Sequence, residues 1–367
     1  MQKRICFYVF FLTCILIFSV SAYSIDISAK SAVLIEAESG DVVFSKNSDA
    51  ILPMASTTKI MTALVVLENA RLDTVVTIEP YMTGIEGSSI YLQEGEELTV
   101  EELLYALMLE SANDASVALA YTVGKTPSGF AEMMNERAKE MGLTSTHFTN
   151  PHGLDDSEHY TTAYELGVIA LNAMENPEFC KIVSTYKKVI PLNNGEGSRV
   201  LINHNRLLRS YCGAVGIKTG FTKKCGRCLV SCAIVDGVRL ICVTLNAPND
   251  WNDHKKMLDF GFSKYENISL ADKGDYTVRL DLINGVKGSF LASNSSPLSV
   301  TLKKDNTDIS AVLEANRLIS APIKKGDVVG KIVFYNKGEE IGKIDLLADE
   351  NVNEIKYKKS IFERLFG

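Results

Sequence analysis

Residues 55–67 read Ala-Ser-Thr-Thr-Lys-Ile-Met-Thr-Ala-Leu-Val-Val-Leu. From Ile60 to Leu67 apolar residues fall on every side of a helix, so this helix belongs in an interior rather than on a surface. A chain that contains such a segment must supply other elements to cover it. The helix opens on Ser56-x-x-Lys59, and residues three apart share a helix face. A serine hydroxyl becomes a nucleophile when a neighbouring base takes its proton. A lysine can be that base when burial or nearby charge keeps its amine partly neutral. The head of a buried helix supplies such a setting. Alone the motif is weak, because a capping serine followed by a solvated lysine has the same letters.

Residues 1–24 differ from the rest. Lys3 and Arg4 precede a strongly apolar run, Ile5 to Val20, and the small residues Ser21, Ala22 and Ser24 follow. This is the pattern of a secretory signal peptide, with an uncleaved membrane anchor as the alternative. It places the mature chain outside the cytoplasmic membrane. Removing the leader takes Lys3 and Arg4 and leaves 36 basic residues against 45 acidic ones. That balance argues against a nucleic-acid partner, which would call for a basic face. Six cysteines remain: Cys180, Cys212, Cys225, Cys228, Cys232 and Cys242. Cys225-x-x-Cys228 is half a zinc pattern, but no second Cys/His pair has matching spacing, so no metal is expected. Cys232 and Cys242 lie in apolar runs and read as core thiols.

Ser31 to Ala37 and Val42 to Phe44, around the turn Ser39-Gly40-Asp41, predict a hairpin. Helix signals follow. Thr99 and Glu102 form a capping box, a helix runs from Ala115 to about Val123, Ser128 caps another that stops at Gly142, and Thr162 with Glu165 forms a second capping box. Strands return at Ile217–Thr219, Leu229–Ile234 and Leu240–Leu245, with Asp236-Gly237 as a hairpin turn, and a helix from Asp253 to Phe262 closes the unit. Strands at both ends with helices between predict an α+β class: one antiparallel sheet covered by helices, over residues 25–265. Period-two alternation punctuated by glycine over 271–350 predicts a second, smaller all-β domain. In the tail, 354–367, Ile361, Phe362, Leu365 and Phe366 share one helical face, with Lys356, Lys358, Lys359 and Arg364 elsewhere. That predicts a short amphipathic segment for a membrane surface, with a frayed basic tail as the alternative.

Two further motifs change the weight of the first. Ser111-Ala112-Asn113 stands in a predicted break between helices, and Lys218-Thr219-Gly220 lies on a predicted strand. Ser-x-x-Lys at a buried helix start, Ser-x-Asn in an interhelical loop and Lys-Thr-Gly on a strand, in that order, form a strong joint signal. The chain resembles the low-molecular-mass penicillin-binding proteins that are serine-type D-Ala-D-Ala carboxypeptidases. The segments carrying the likeness are Pro53–Thr62, Glu110–Ala115, Asn150-Pro151-His152-Gly153-Leu154-Asp155, Gly216–Thr222, Val238–Ile241 and, in the second domain, Ala321–Asp327.

The resemblance implies a set of roles. Ser56 attacks the carbonyl of the penultimate D-Ala, Lys59 is its general base, and Ser111 relays a proton to the leaving amine with help from Lys218. Asn113 holds the peptide. Thr219, with Arg239 behind it, binds the terminal carboxylate, and Gly220 lets a ligand backbone approach closely. The N–H groups of Ser56 and Phe221 form the oxyanion hole. The implied partners are a peptidoglycan stem ending in D-Ala-D-Ala, β-lactam antibiotics as covalent inhibitors, and a membrane surface through the tail. No cofactor is implied. The sequence departs from the family pattern at His204, where arginine is frequent, and at Phe221, where histidine is frequent. A β-lactamase shares the acylation machinery, but no Glu-x-x-Leu-Asn lies between Asn113 and Lys218. An endopeptidase or transpeptidase of the same superfamily stays open, because no motif sets the acceptor. A non-catalytic wall-binding protein is the rival of another class, and the full set of catalytic residue types argues against it.

Overall fold

In the computed structural model, residues 25–192, 195–305, 307–316 and 318–356 are described. Residues 1–24, where a leader is expected, and residues 357–367 of the tail lie outside the described residues.

Five strands make the central sheet: β1 (Ser31–Glu36), β2 (Val42–Lys46), β3 (Ala214–Thr222), β4 (Gly226–Val235) and β5 (Val238–Leu245). Their spatial order is β2-β1-β5-β4-β3, antiparallel throughout. The N-terminal hairpin thus pairs with the last strand, and β3 is left as an edge. β1 shows why both faces are covered. Val33 and Ile35 enter one buried cluster, and Ala32 and Leu34 enter another, as the two-residue period of a strand requires. On the first face lie α1 (Lys59–Asn69), α2 (Val100–Tyr105), α3 (Asn113–Gly124), α4 (Pro127–Glu140), α5 (Ala163–Ala173) and α6 (Pro177–Ser184). A short helical turn, α7 (Leu207–Ser210), precedes β3. The other face takes α8 (Asp250–Lys264), whose Met257 and Leu258 pack with Leu34, Leu240 and Cys242. α1 is buried from Lys59 through Val66, as its all-round apolar pattern predicts.

The second sheet is all-β. Its six strands run in the order Ile309–Ala315, Val328–Asn336, Glu339–Ala348, Ser289–Asn294, Thr277–Ile283 and Ile319–Ser320. It has its own core, including Leu280, Phe290, Ile332, Phe334 and Leu346. A ribbon of Tyr265–Ala271 with Leu298–Lys303 joins the two units, and Asp41 at the β1–β2 turn bonds to Tyr265 and Lys303.

Some local expectations shift. α4 starts at Pro127 with Thr126 as its cap, not at Ser128; Thr126 accepts from the Gly129 N–H, and proline suits the first helical position. Thr162 caps α5 by accepting from the Glu165 N–H, but the Glu165 carboxylate turns away to Thr144, Ser145 and Thr146. The reciprocal half of that capping box is absent. α8 begins at Asp250, three residues earlier than expected. The hairpin Lys187–Leu192 with Gly197–Ile202 has no clear sequence signature, because Lys187, Val189, Pro191 and Val200 face solvent.

Candidate active site

Ser56 sits in a tight turn, Ala55–Thr58, that leads directly into α1. Ala55 takes a positive φ of 49°. Lys59 is 0% exposed. Its Nζ lies 3.1 Å from Ser56 Oγ, 2.7 Å from Asn113 Oδ1 and 2.6 Å from the His152 carbonyl oxygen. Amide and carbonyl oxygens only accept, so they take two N–H bonds. An uncharged amine has two N–H bonds and one lone pair, which leaves the lone pair facing the Ser56 hydroxyl. Burial holds the Lys59 pKa well below its ordinary value, the charge of Lys218 adds to this, and Asp114 opposes it.

The Ser111 loop follows α2. The chain widens into a π-helical turn over Ala106–Glu110, and Ser111 ends it with a left-handed φ of 60°. Such turns concentrate at functional sites. Asn113 is committed at both ends of its amide: Oδ1 accepts from Lys59, and Nδ2 donates to the Glu86 carbonyl at 2.6 Å. The side chain therefore positions Lys59, a role the resemblance did not imply, and one N–H of its amide is left over for the peptide contact that the resemblance does imply. Asp114, fully buried, ties down the loop that passes over this region. It accepts from Ser89 Oγ at 2.6 Å, Leu92 N at 3.0 Å and Ile90 N at 3.3 Å.

Lys218, Thr219, Gly220 and Phe221 follow one another on β3. Lys218 is 1% exposed; burial lowers its pKa to about 7 while Glu110 raises it. A Cβ on Gly220 would stand 3.1 Å from both Ser56 N and Thr57 N. The glycine therefore lets the strand lie against the nucleophile turn, a protein–protein approach where sequence reading placed a ligand. Ser56, Ser111, Thr219, Gly220 and Phe221 line one cavity of about 300 Å³, with Phe221 64% exposed at its rim. A larger cavity, about 720 Å³, lies in the second domain and contains none of the motif residues.

Arg239 is not at this cavity. It pairs with Ile234 at the turn end of β5 and lines a separate hollow with Glu36, Glu38 and Thr301. Thr219 pairs with Leu229. Ile234 is five residues farther along β4, roughly 16 Å at about 3.3 Å per residue. In place of Arg239, Arg227, opposite Phe221 on β4, lines the cavity with Thr219. Its Nε donates to Asp250 Oδ1 at 3.0 Å, and its guanidinium lies 5.7 Å from the Trp251 ring centre. The register could have found it: a short turn after Thr222 puts Arg227 across from Phe221.

The segment 150–159 straps the turn from behind. Gly153 has φ of 88°, and a Cβ there would stand 2.0 Å from the Ala55 carbonyl oxygen. The Pro151 carbonyl accepts from Thr62 and Ser116 hydroxyls. His159 Nδ1 accepts from the Thr149 N–H at 3.0 Å, which assigns its proton to Nε2. Nε2 then donates to Thr58 Oγ1 at 2.8 Å, and Thr58 donates onward to the Ala55 carbonyl. Burial lowers the His159 pKa to about 4, so the ring is neutral at pH 7. Neither His159 nor Gly153 was assigned a role from sequence.

Residues 18–249 match the family model for D-alanyl-D-alanine carboxypeptidase. The chain belongs to this family. Residues 265–354 match the C-terminal domain model of penicillin-binding protein 5. The D-alanyl-D-alanine carboxypeptidase DacF of Bacillus subtilis is 35% identical, covering 89% of this chain and 86% of that protein. Among solved structures, penicillin-binding protein 5 of Haemophilus influenzae superposes with a TM-score of 0.65 at 29% identity, over 90% of this chain and 99% of that one. A Streptomyces DD-transpeptidase structure is 34% identical with a TM-score of 0.63, covering 65% of this chain and all of that one. The two matches fall on the two units of this fold, the helix-covered antiparallel sheet and the all-β domain that follows it.

Proposed function

We propose that the chain is a serine D-alanyl-D-alanine carboxypeptidase that removes the terminal D-Ala from peptidoglycan stems through an ester on Ser56. One observation carries this reading: a fully buried lysine amine 3.1 Å from the Ser56 hydroxyl, whose other two partners are oxygens that only accept. Ser56 Oγ attacks the penultimate carbonyl carbon as its proton passes to Lys59 Nζ. The N–H groups of Ser56 and Phe221 hold the oxyanion, a term worth about 3–4 kcal/mol per donor in other enzymes. The position of β3 at the sheet edge and the close approach at Gly220 support that pair. The C–N bond then breaks, and Ser111, helped by Lys218 as the resemblance implies, passes a proton to the departing amine. Water attacks the ester and restores Ser56. Thr219 and Arg227 hold the substrate carboxylate, with Asp250 and Trp251 steadying Arg227. A β-lactam carries a carbonyl and a carboxylate in like arrangement, so it acylates Ser56 and stays.

The test is D-Ala release from a pentapeptide, with and without an added amine acceptor. Release that the acceptor leaves unchanged, with a tetrapeptide product, is the expected result. The name of the Streptomyces relative gives the second reading: a peptide joined to the acceptor would make this a transpeptidase.

Acylation requires a neutral Lys59. Its pKa is lowered, so the rate falls as pH drops through that lowered value. A rate constant for penicillin acylation that stays flat down to the carboxylate range would contradict this assignment.

The leader and tail complete the reading: an exported enzyme held peripherally at the outer face of the cytoplasmic membrane. Near an anionic surface each of Lys356, Lys358, Lys359 and Arg364 contributes about 1 kcal/mol, less the opposing Glu363. Deleting residues 355–367 should release the mature protein from anionic vesicles at low salt without changing turnover of a free peptide. Failure of the undeleted protein to sediment with those vesicles would end the anchor proposal.

A further inference from the structure

The cavity that holds Ser56 has three basic side chains at its edge, and they differ in one respect. His204 Nε2 lies 3.1 Å from Glu110 Oε2, and Arg227 Nε lies 3.0 Å from Asp250 Oδ1. Arg206, exposed and immediately before α7, lines the same cavity. Among the described residues its side chain has neither an acidic partner nor a hydrogen-bond acceptor. In a chain with more acidic than basic residues, a cation left uncompensated on the cavity that holds the nucleophile is a vacant carboxylate contact.

The proposed reaction already assigns one carboxylate, that of the terminal D-Ala, to Thr219 and Arg227. A minimal D-Ala-D-Ala unit offers Arg206 nothing. The next residue toward the stem does. It is bonded directly to the D-Ala that becomes the ester, and an extended residue spans about 3.3–3.6 Å. Its side chain therefore falls within reach of the same cavity. A guanidinium presents its donors as a planar fork that fits a carboxylate in a bidentate way.

We propose that Arg206 is a specificity residue that selects stems whose third residue bears a free carboxylate. This rests on the carboxypeptidase reading above and narrows its substrate class. A primary carboxamide at the same place offers one neutral acceptor and no charge, so amidated stems are the poorer substrates.

The experiment uses the mature protein and two pentapeptides ending in D-Ala-D-Ala. They are identical except for a carboxylate or a primary carboxamide on the third side chain. The wild type should show kcat/KM about five- to thirtyfold higher on the acid, the range of one or two kcal/mol. Arg206→Ala should lose that advantage on the acid and keep its rate on the amide, and Arg206→Lys should restore part of it. Added salt should narrow the wild-type preference, since the contact is exposed. Equal loss on both peptides, or no loss on either, overturns the proposal. Wild-type protein that labels with penicillin but releases D-Ala from neither peptide would overturn the carboxypeptidase reading, and the specificity claim with it.

Discussion

Ser56→Ala leaves the protein unlabelled by a fluorescent penicillin. The substitution removes the oxygen that forms the ester and little else, because the turn is held by Thr58, His159 and Gly153 rather than by the Ser56 side chain. Loss of a serine nucleophile costs about 10⁶-fold in turnover where it has been measured in other enzymes. Gel fluorescence of the variant beside the wild type, with thermal unfolding to show an unchanged fold, checks this. Labelling at the wild-type level would move the nucleophile elsewhere.

Lys59→Ala should slow acylation by about 10²–10⁴-fold, the usual contribution of a positioned general base. The fold should survive, because an alanine at 59 relieves a buried amine of its desolvation. Two acceptors, Asn113 Oδ1 and the His152 carbonyl, then lose their donor, so a modest loss of stability accompanies the kinetic effect. Stopped-flow acylation within a factor of ten of the wild type would remove Lys59 from the role of base.

The contrast between these residues and Arg239 shows where the sequence was legible. Ser56 and Lys59 are three apart on one short segment, so their meeting needs only helix geometry. The apolar run Ile60–Leu67 similarly announces its own burial, and the strands at both ends of the first unit announce one sheet. Arg239 fails for a long-range reason. It lies on a true strand, but its position along that strand depends on the pairing of β5 with β4 and of β4 with β3. That register places it at the far end of the sheet and brings Arg227 to the cavity in its place. His159 was hidden in another way. Its role depends on which ring nitrogen the Thr149 N–H meets, a detail fixed by the fold of the 150–159 strap. Asn113 was found as a site residue, yet its amide faces Lys59 and Glu86, because the loop fixed by Asp114 carries the Glu86 carbonyl to it.

The most direct test is mass spectrometry of a D-Ala-D-Ala pentapeptide incubated with the protein and, in parallel, with Ser56→Ala. The account predicts conversion to the tetrapeptide with one equivalent of free D-Ala for the wild type, and an unchanged pentapeptide for the variant. An intact pentapeptide with the wild type, cleavage at any other bond, or equal conversion by the variant would contradict it.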